Sequence, residues 1–411
     1  MIAAGREFFT AKTVAEALAD FHPAHRTDTE AVGLYDAAGR IPAADILAGE
    51  ALPGFDRSAV DGYAVRAQDT FGASESIPAY LTLAGSVAMG APAELALPPH
   101  SAIAVPTGGA LPDGADAVVM IEYTQEAMAG TVEVVRPAAP GEGVVRADED
   151  MAPGRVAVPG GAPLRAQDVA MLAALGITEL EVHAPPAVSI LATGDELIPP
   201  DPAPVGPGQV RDALSSSVGA LVREAGGLPL PPQIVRDDPG ALRTALGHAL
   251  GCSDVVVICA GSSVGARDET AAAVAAVPGA EIWCHGLAVK PGKPTLLASS
   301  SGIPIIGLPG NPRSALVVFR LIGMPLVRRA GGWSAEHRPG SIARTLSRDL
   351  PSSAGRLDVV QVRLSGAEEA EPIFGPSALL SVLTAADGYV IIPEDANGLS
   401  AGETVEVFLY R

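Results

Sequence analysis

The sequence predicts an α/β and β multidomain protein. Three observations carry this. Residues 187–330 alternate buried strand runs with amphipathic helix patterns. Residues 48–182 consist mainly of short β-type runs broken by Gly and Pro. The tail, 340–411, returns to strand-like segments separated by turn residues. Repeated βα units of this length give a mostly parallel, helix-covered sheet, whereas runs of short strands give separate β-rich units.

Taken in order, TAKTVAEALADF reads as an N-terminal helix able to pack on any later unit. The β-type runs that follow are AVDGYAVRA, PAYLTLAGSV, SAIAVPTGG, DAVVMIEY, TVEVVRP and GRVAVPGG, and PLRAQDVAMLAALG (163–176) reads as one helix among them. AVSILAT (187–193) is a buried strand. SSSVGALVREAGG (215–227) is then a helix with Ser caps, apolar at Val218, Leu221 and Val222, and stopped by Gly226–Gly227. PQIVRDD is a strand and GALRTALGHAL a helix; DVVVICAG (254–261) is a strand and DETAAAVAAV a helix. GIPIIGLPG (302–310) is a strand leading into the long helix NPRSALVVFRLIGMPLVRR. The Pro-rich stretch 198–209 is an exposed loop. In parallel sheets, ligands sit beyond the carboxyl ends of the strands.

With 411 residues, the length prior is two to four domains. Hydrophobic residues at 48% and charged residues at 18% exclude a disordered chain, and 46 Gly with 37 Pro lack the collagen period. The three cysteines, Cys252, Cys259 and Cys284, form no C-x-x-C pair, so neither a disulfide framework nor a Cys-rich zinc site is expected. The N-terminus lacks a signal-peptide pattern, and no stretch reaches 18 consecutive apolar residues, so a cytoplasmic protein is expected, without membrane association. A net charge of −20 and no basic tract argue against nucleic-acid binding. Lys occurs only at 12, 290 and 293 among 27 basic residues. Two of three Lys lying close together in a chain that otherwise uses Arg suggest an anion-binding pair.

No G-x-G-x-x-G follows a strand, and no H-E-x-x-H is present. GLAVKPGKP fails as a Walker A loop, since Pro294 stands where Ser or Thr should follow the Lys. Four segments can carry chemistry. In PGFDRSAVDGYAV, Asp61 lies in a Gly turn, although bonding to its own backbone explains it equally well. In ATGDELIPP, Thr193 and Glu196 have capping-box spacing. In CAGSSVGARDETAAAV, a Gly/Ser loop containing Ser263 precedes Asp268, which opens a helix as an ordinary cap or as an anion-cradle neighbour. In HGLAVKPGKPTLL joined to IIGLPGNPRSALVV, prolines restrict the backbone around Lys290 and Lys293. There Asn311 caps, Pro312 takes the first helical position and Ser314 falls in the first turn, making an oxyanion site.

The ordered set FDRSAVDGYAV, PTGGALPDGADAVV, VRADEDMAPG, LATGDEL, GSSVGxxD, VKPGKP, GLPGNPRSA and GRLDVVQV, spanning about residues 35–411, resembles the MoeA family of molybdopterin molybdenumtransferases, which is similar to the gephyrin E domain. The resemblance implies an elongated homodimer of four-domain chains. Its domains would be a linker and dimerisation domain (24–47 and 140–182), a β-rich domain (48–139), a MogA-like α/β molybdopterin-binding domain (1–23 and 183–331) and a C-terminal β-barrel-like domain (332–411).

It also implies adenylylated molybdopterin and molybdate as substrates, with Mg²⁺-dependent release of AMP. By the same resemblance Asp61, Thr107, Glu196, Asp237 and Asp268 form the catalytic set. Asp61, Glu196 and Asp268 would hold the metal ion, while Lys290, Lys293, Ser263, Asn311, Ser314 and Arg356 would receive the oxyanion. The complete site would lie between 187–330 of one subunit and the Asp61 region of the other. Ala260, Ala266, Leu214 and Gly286 depart from common family residues, and the HG-x-A-x-KPGKP and AGSS features resemble a paralogous branch, so tungstate is the alternative oxyanion and a non-catalytic scaffold the alternative role. Deamidases of nicotinamide mononucleotide share TGDEL but lack SAVDGYAV and the KPGKP…GLPGNP pair, both present in this chain.

Overall fold

A computed structural model describes residues 11–260, 264–334 and 339–410, with side chains except at 127 and 264–268. Its α/β body is a seven-stranded sheet. Ala187–Thr193 lies next to one edge, parallel to the edge strands Leu228–Pro229 and Gln233–Val235 on one side and to Val255–Cys259 on the other, and the last is parallel to Ile303–Leu308. Leu296–Ser300 and Ala280–His285 extend the sheet antiparallel. Strand residues alternate between two cores. Val188, Ile190, Val255 and Val257 pack with Val218, Val222 and Phe319, while Leu191, Val256, Ile258 and Ile305 pack with Leu242, Leu246 and Val274. Cover on both faces explains why these strands are continuous apolar runs.

The N-terminal helix Val14–Asp20 starts in a capping box between Thr13 and Glu16, and buries Ala17 with Phe21 against the same body. Lys12 bridges Leu287 in parallel fashion, tethering this segment.

Four sequence expectations change here. The helix over 213–224 starts at Ala213 and is capped by Asp212, whose Oδ1 accepts the Ser215 N–H at 2.9 Å; the serines lie inside it. Thr193 and Glu196 form no capping box, because Thr193 ends a strand and a turn, not a helix, follows it. Asp268 does not open its helix, which begins at Val264, so it sits in the second turn. The long C-terminal helix of this body is interrupted by a π-turn over Phe319–Gly323, between Pro312–Val318 and Met324–Ala330. Pro325 lacks a donor and crowds the carbonyl four residues earlier, in that wider turn.

Around this body sit three smaller units. Thr29–Gly33 pairs antiparallel with Glu179–His183, and Ile46–Leu47 with Val156–Val158, over a core of Ala37, Leu164, Leu172 and Val182. A six-stranded sheet runs Ala117–Met120, Gly62–Val65, Ser101–Val105, Ala79–Ser86, Thr131–Val134, Thr124–Met128. At the C-terminus, Leu357–Ser365 pairs with both Glu369–Pro372 and Gly388–Ile392, closing a sheet that also contains Ser341–Leu346 and Thr404–Leu409. Among the described residues, no helix is long and apolar enough to cross a membrane.

Gly62 shows how tightly the β-rich sheet is built beside a candidate site residue. A Cβ there would lie 2.0 Å from the Val119 carbonyl oxygen, so the strands can approach only without a side chain. Gly62→Ala is expected to destabilise the chain by about 1–3 kcal/mol or more, read as a lower denaturant midpoint.

Candidate functional site

The carboxyl edge of the parallel strands carries most of the candidates. Immediately after Thr193 comes Gly194-Asp195-Glu196, and after Val235 comes Arg236-Asp237. Gly194 adopts a φ of +157°, and a Cβ on it would lie 2.7 Å from Glu196 Oε2, so the glycine lets the carboxylate fold back over the turn. The Gly194 N–H donates to the Val235 carbonyl at 3.2 Å, joining the two loops. Asp195 Oδ1 accepts the Asp237 N–H at 3.3 Å.

Three carboxylates therefore crowd one edge. Burial, then the charges of Glu196 and Asp195, push the Asp237 carboxyl above its ordinary range. Asp237 also lines a small cleft with Thr193, Glu269 and Thr270, so the helix carrying Asp268 flanks this acidic edge. The side chain of Asp268 and all of Ser263 lie outside the described residues. Asp195, absent from the sequence-based set, belongs to the cluster; its place in TGDEL beside Glu196 was the available signal.

Asp61 and Thr107 meet elsewhere, on the β-rich unit. Asp61 Oδ1 accepts from the Thr107 N–H at 2.7 Å and from Thr107 Oγ1 at 3.0 Å. These bonds hold the exposed Asp61 carboxyl below its usual range. The surrounding motifs converge on them: Ser58 N–H donates to the Gly109 carbonyl at 2.9 Å, and Gly108 N–H to the Ser58 carbonyl at 2.8 Å. Asp56 accepts from Ala147 N–H and Arg146 Nη1, both at 2.7 Å, bringing the VRADED segment to the same place. No charge is among the causes that shift Asp61, in contrast to Asp237. The chain thus assembles two acidic groups of different character, one partly buried and mutually repelling, one exposed and hydrogen-bonded.

The cationic group lies where the α/β body meets the C-terminal sheet. Val289–Lys290 pairs in parallel with Leu357–Asp358, opposing Lys290 to Asp358. Lys290 Nζ lies 3.6 Å from Asp358 Oδ2, and Arg356 Nε donates to Asp358 Oδ1 at 2.8 Å. Lys290 and Arg356 are therefore brought together, by a residue the sequence reading did not select. An acid within the apolar run LDVVQV was its only signal. Lys293 is exposed on the adjoining loop, which Thr295 closes by donating from Oγ1 to the Gly292 carbonyl at 2.7 Å. A Cβ on Gly292 would sit 2.4 Å from Val318 Cγ2 and 3.8 Å from the Ser314 carbonyl, so this loop packs directly on the helix that starts at Pro312. Asn311 is the N-cap residue there but makes no side-chain cap bond; Pro312 follows it, and Ser314 is buried in the first turn.

Among the described residues, no group of three or more His, Cys, Asp and Glu is gathered closely enough to hold a metal ion unaided. The donor chemistry of the acidic edge still fits a hard divalent cation that keeps most of its water and takes one or two carboxylates. The mutual repulsion felt by Asp237 is what such a cation would relieve.

The raised Asp237 pKa means its charge opposes folding at neutral pH. That penalty is fully present above the folded-state value and disappears as pH falls through the unfolded carboxylate range. Asp237→Asn is therefore expected to raise the thermal unfolding midpoint at pH 7, with the difference vanishing near pH 3; equal effects at both pH values would contradict the repulsion.

Three family models match successive parts of the chain: the MoeA N-terminal region (domain I and II) over 12–176, a probable molybdopterin binding domain over 189–329, and the MoeA C-terminal region (domain IV) over 343–410. The molybdopterin molybdenumtransferase of Haemophilus influenzae is 32% identical over 386 residues, covering 93% of this chain and 94% of its own. That of Bacillus subtilis is 33% identical over 393 residues, covering 93% and 90%. A crystal structure of the molybdopterin biosynthesis MoeA protein of Pyrococcus horikoshii superposes with a TM-score of 0.83 at 33% identity, covering 97% of this chain and all of that one. With relatives above 30% identity along nearly its whole length, and with all three regions matched in order, the chain belongs to the MoeA family of molybdopterin molybdenumtransferases.

Proposed function

We propose that this transferase inserts molybdenum into molybdopterin, taking adenylylated molybdopterin and molybdate and releasing AMP in a Mg²⁺-dependent reaction. The observation that carries the reading is the separation of charge: carboxylates at the sheet edge, and a Lys290–Arg356 pair shared by one buried acid. A phosphoanhydride-type substrate and a metal oxyanion need these two environments. The family relatives, named for molybdopterin molybdenumtransferase, supply the substrate class.

Within this reading Lys290, Lys293 and Arg356 neutralise the oxyanion, and Ser314 with the helix start at Asn311 completes its enclosure. Glu196, Asp237 and Asp268 would hold the divalent cation, with Asp61 closing the site. Bound there, Mg²⁺ would supply charge neutralisation at the phosphates. Thr107 keeps Asp61 ionised and fixed in direction by its two hydrogen bonds. We place the protein in the cytoplasm as a homodimer, with Asp61 of one subunit completing the site on the α/β body of the other.

Isologous association would create two equivalent composite sites. An assay with purified protein, adenylylated molybdopterin, Mg²⁺ and either molybdate or tungstate should show AMP release, lost when the cation is chelated. Asp61→Asn and Lys290→Ala should each abolish activity. Mixing the two inactive variants should restore about a quarter of wild-type activity, because half the dimers are mixed and each has one repaired site. A mixture that stays inactive after verified subunit exchange would show that both residues act within one chain.

A further inference from the structure

Asp358 is an ionisable residue, 3% exposed, at the buried start of a strand whose Val359, Gln361 and Val362 are also buried. Its two oxygens are divided between two cations. Oδ1 takes the Arg356 Nε–H at 2.8 Å, and Oδ2 faces Lys290 Nζ at 3.6 Å. The cations are far more open: the Lys290 side chain is 56% exposed and that of Arg356 38%, against 4% for Asp358. Arg356 and Asp358 are two residues apart and share one face of their segment, while Lys290 reaches the same acid from across the parallel pair. Asp358 engages the guanidinium through Nε, so the hydrogen bond to the acid does not use the terminal N–H groups.

We propose that Asp358 is a positioning residue for the oxyanion. It holds the Lys290 ammonium and the Arg356 guanidinium side by side against their mutual repulsion, so that a tetrahedral dianion meets a preformed pair of cations. This rests on the reading that Lys290 and Arg356 receive the oxyanion. Two long, half-exposed side chains would otherwise sample many rotamers, and each would have to be ordered when the anion arrives. A carboxylate buried between them orders them beforehand. The proposal runs against simple electrostatics, in which deleting a negative charge beside an anion site strengthens anion binding.

The test is equilibrium binding of molybdate to the full-length protein, with the KM for molybdate and for adenylylated molybdopterin and the thermal midpoint measured alongside. Asp358→Asn keeps the shape but removes the charge. It is expected to weaken molybdate binding and raise the molybdate KM about tenfold, the scale of one charge-assisted hydrogen bond, while the pterin KM stays unchanged. Asp358→Glu, which restores the charge one methylene further out, should fall between the two. Lys290→Ala and Arg356→Ala provide the separate check on the site itself. If both abolish molybdate binding while Asp358→Asn leaves it equal or tighter, the positioning role is wrong and the oxyanion site stands. If neither Lys290→Ala nor Arg356→Ala affects molybdate, the site reading fails and the proposal falls with it. A drop in midpoint with both KM values rising together would make Asp358 a structural staple only. Should Asp358→Asn not fold, Asp358→Ser decides in its place, and wild-type molybdate affinity in that uncharged variant overturns the proposal.

Discussion

A parallel pairing only two residues long, Val289–Lys290 against Leu357–Asp358, is the joint on which the cationic half of the molecule depends. The α/β sheet and the C-terminal sheet are otherwise separate hydrogen-bonded units, and this pairing sends one loop of the first onto an edge of the second. The Leu357 N–H completes it by donating to the Ala288 carbonyl at 2.9 Å. Such a short ladder is weak by itself. It is reinforced nearby by Arg320, which binds both Glu224 oxygens and lies over the Tyr410 ring at 5.0 Å, and by the Arg313 N–H donating to the Ser377 carbonyl at 3.1 Å. The buried carboxylate in the joint is tolerable because cations face both its oxygens; a lone buried charge would be strongly destabilising.

The same joint resolves an electrostatic difficulty. A chain of net charge −20 repels anions at long range, and the substrates implied by its family are anionic. At physiological ionic strength such repulsion fades within about 8 Å, so what an anion meets at contact is set by the nearest groups. Bringing Lys290 to Arg356, with Lys293 on the adjoining loop, creates a local cationic patch without changing the character of the surface. The carboxylates at the sheet edge are crowded on the opposite principle: their repulsion, visible at Asp237, creates local demand for a cation.

How much of this was legible depended on whether the determining contacts were near in sequence. Strand and helix order in 187–330 could be read because both faces of the sheet are buried and each element carries its own periodicity. The Lys290–Lys293 loop and the helix start at Pro312 were legible because prolines act locally, whereas the expected Asn311 cap bond is not made. Asp268 was misplaced by one turn because its Gly/Ser approach resembles a loop, although the helix takes up Val264 and Gly265. The Thr193–Glu196 spacing matched a capping box, yet the same pattern serves a Gly194 turn with the carboxylate folded over it. Asp358 could not be chosen at all, since its significance arises from a strand pairing between residues 68 positions apart.

Asp61 places a geometric demand on any complete site. Its direction is fixed by two bonds from Thr107, and no charge contributes to its shift, so within the described chain it behaves as an acid presented outward. Asp237, in contrast, is held inward among acids on the sheet edge. The entropy lost by fixing this exposed carboxylate in one direction is offset by the two hydrogen bonds from Thr107, which favour its ionised form. The neighbouring Ser58, Gly109, Asp56 and Arg146 contacts brace the turn further. The chain thus presents its acids in two ways, one exposed and held in direction by hydrogen bonds, the other crowded by neighbouring carboxylates at the sheet edge.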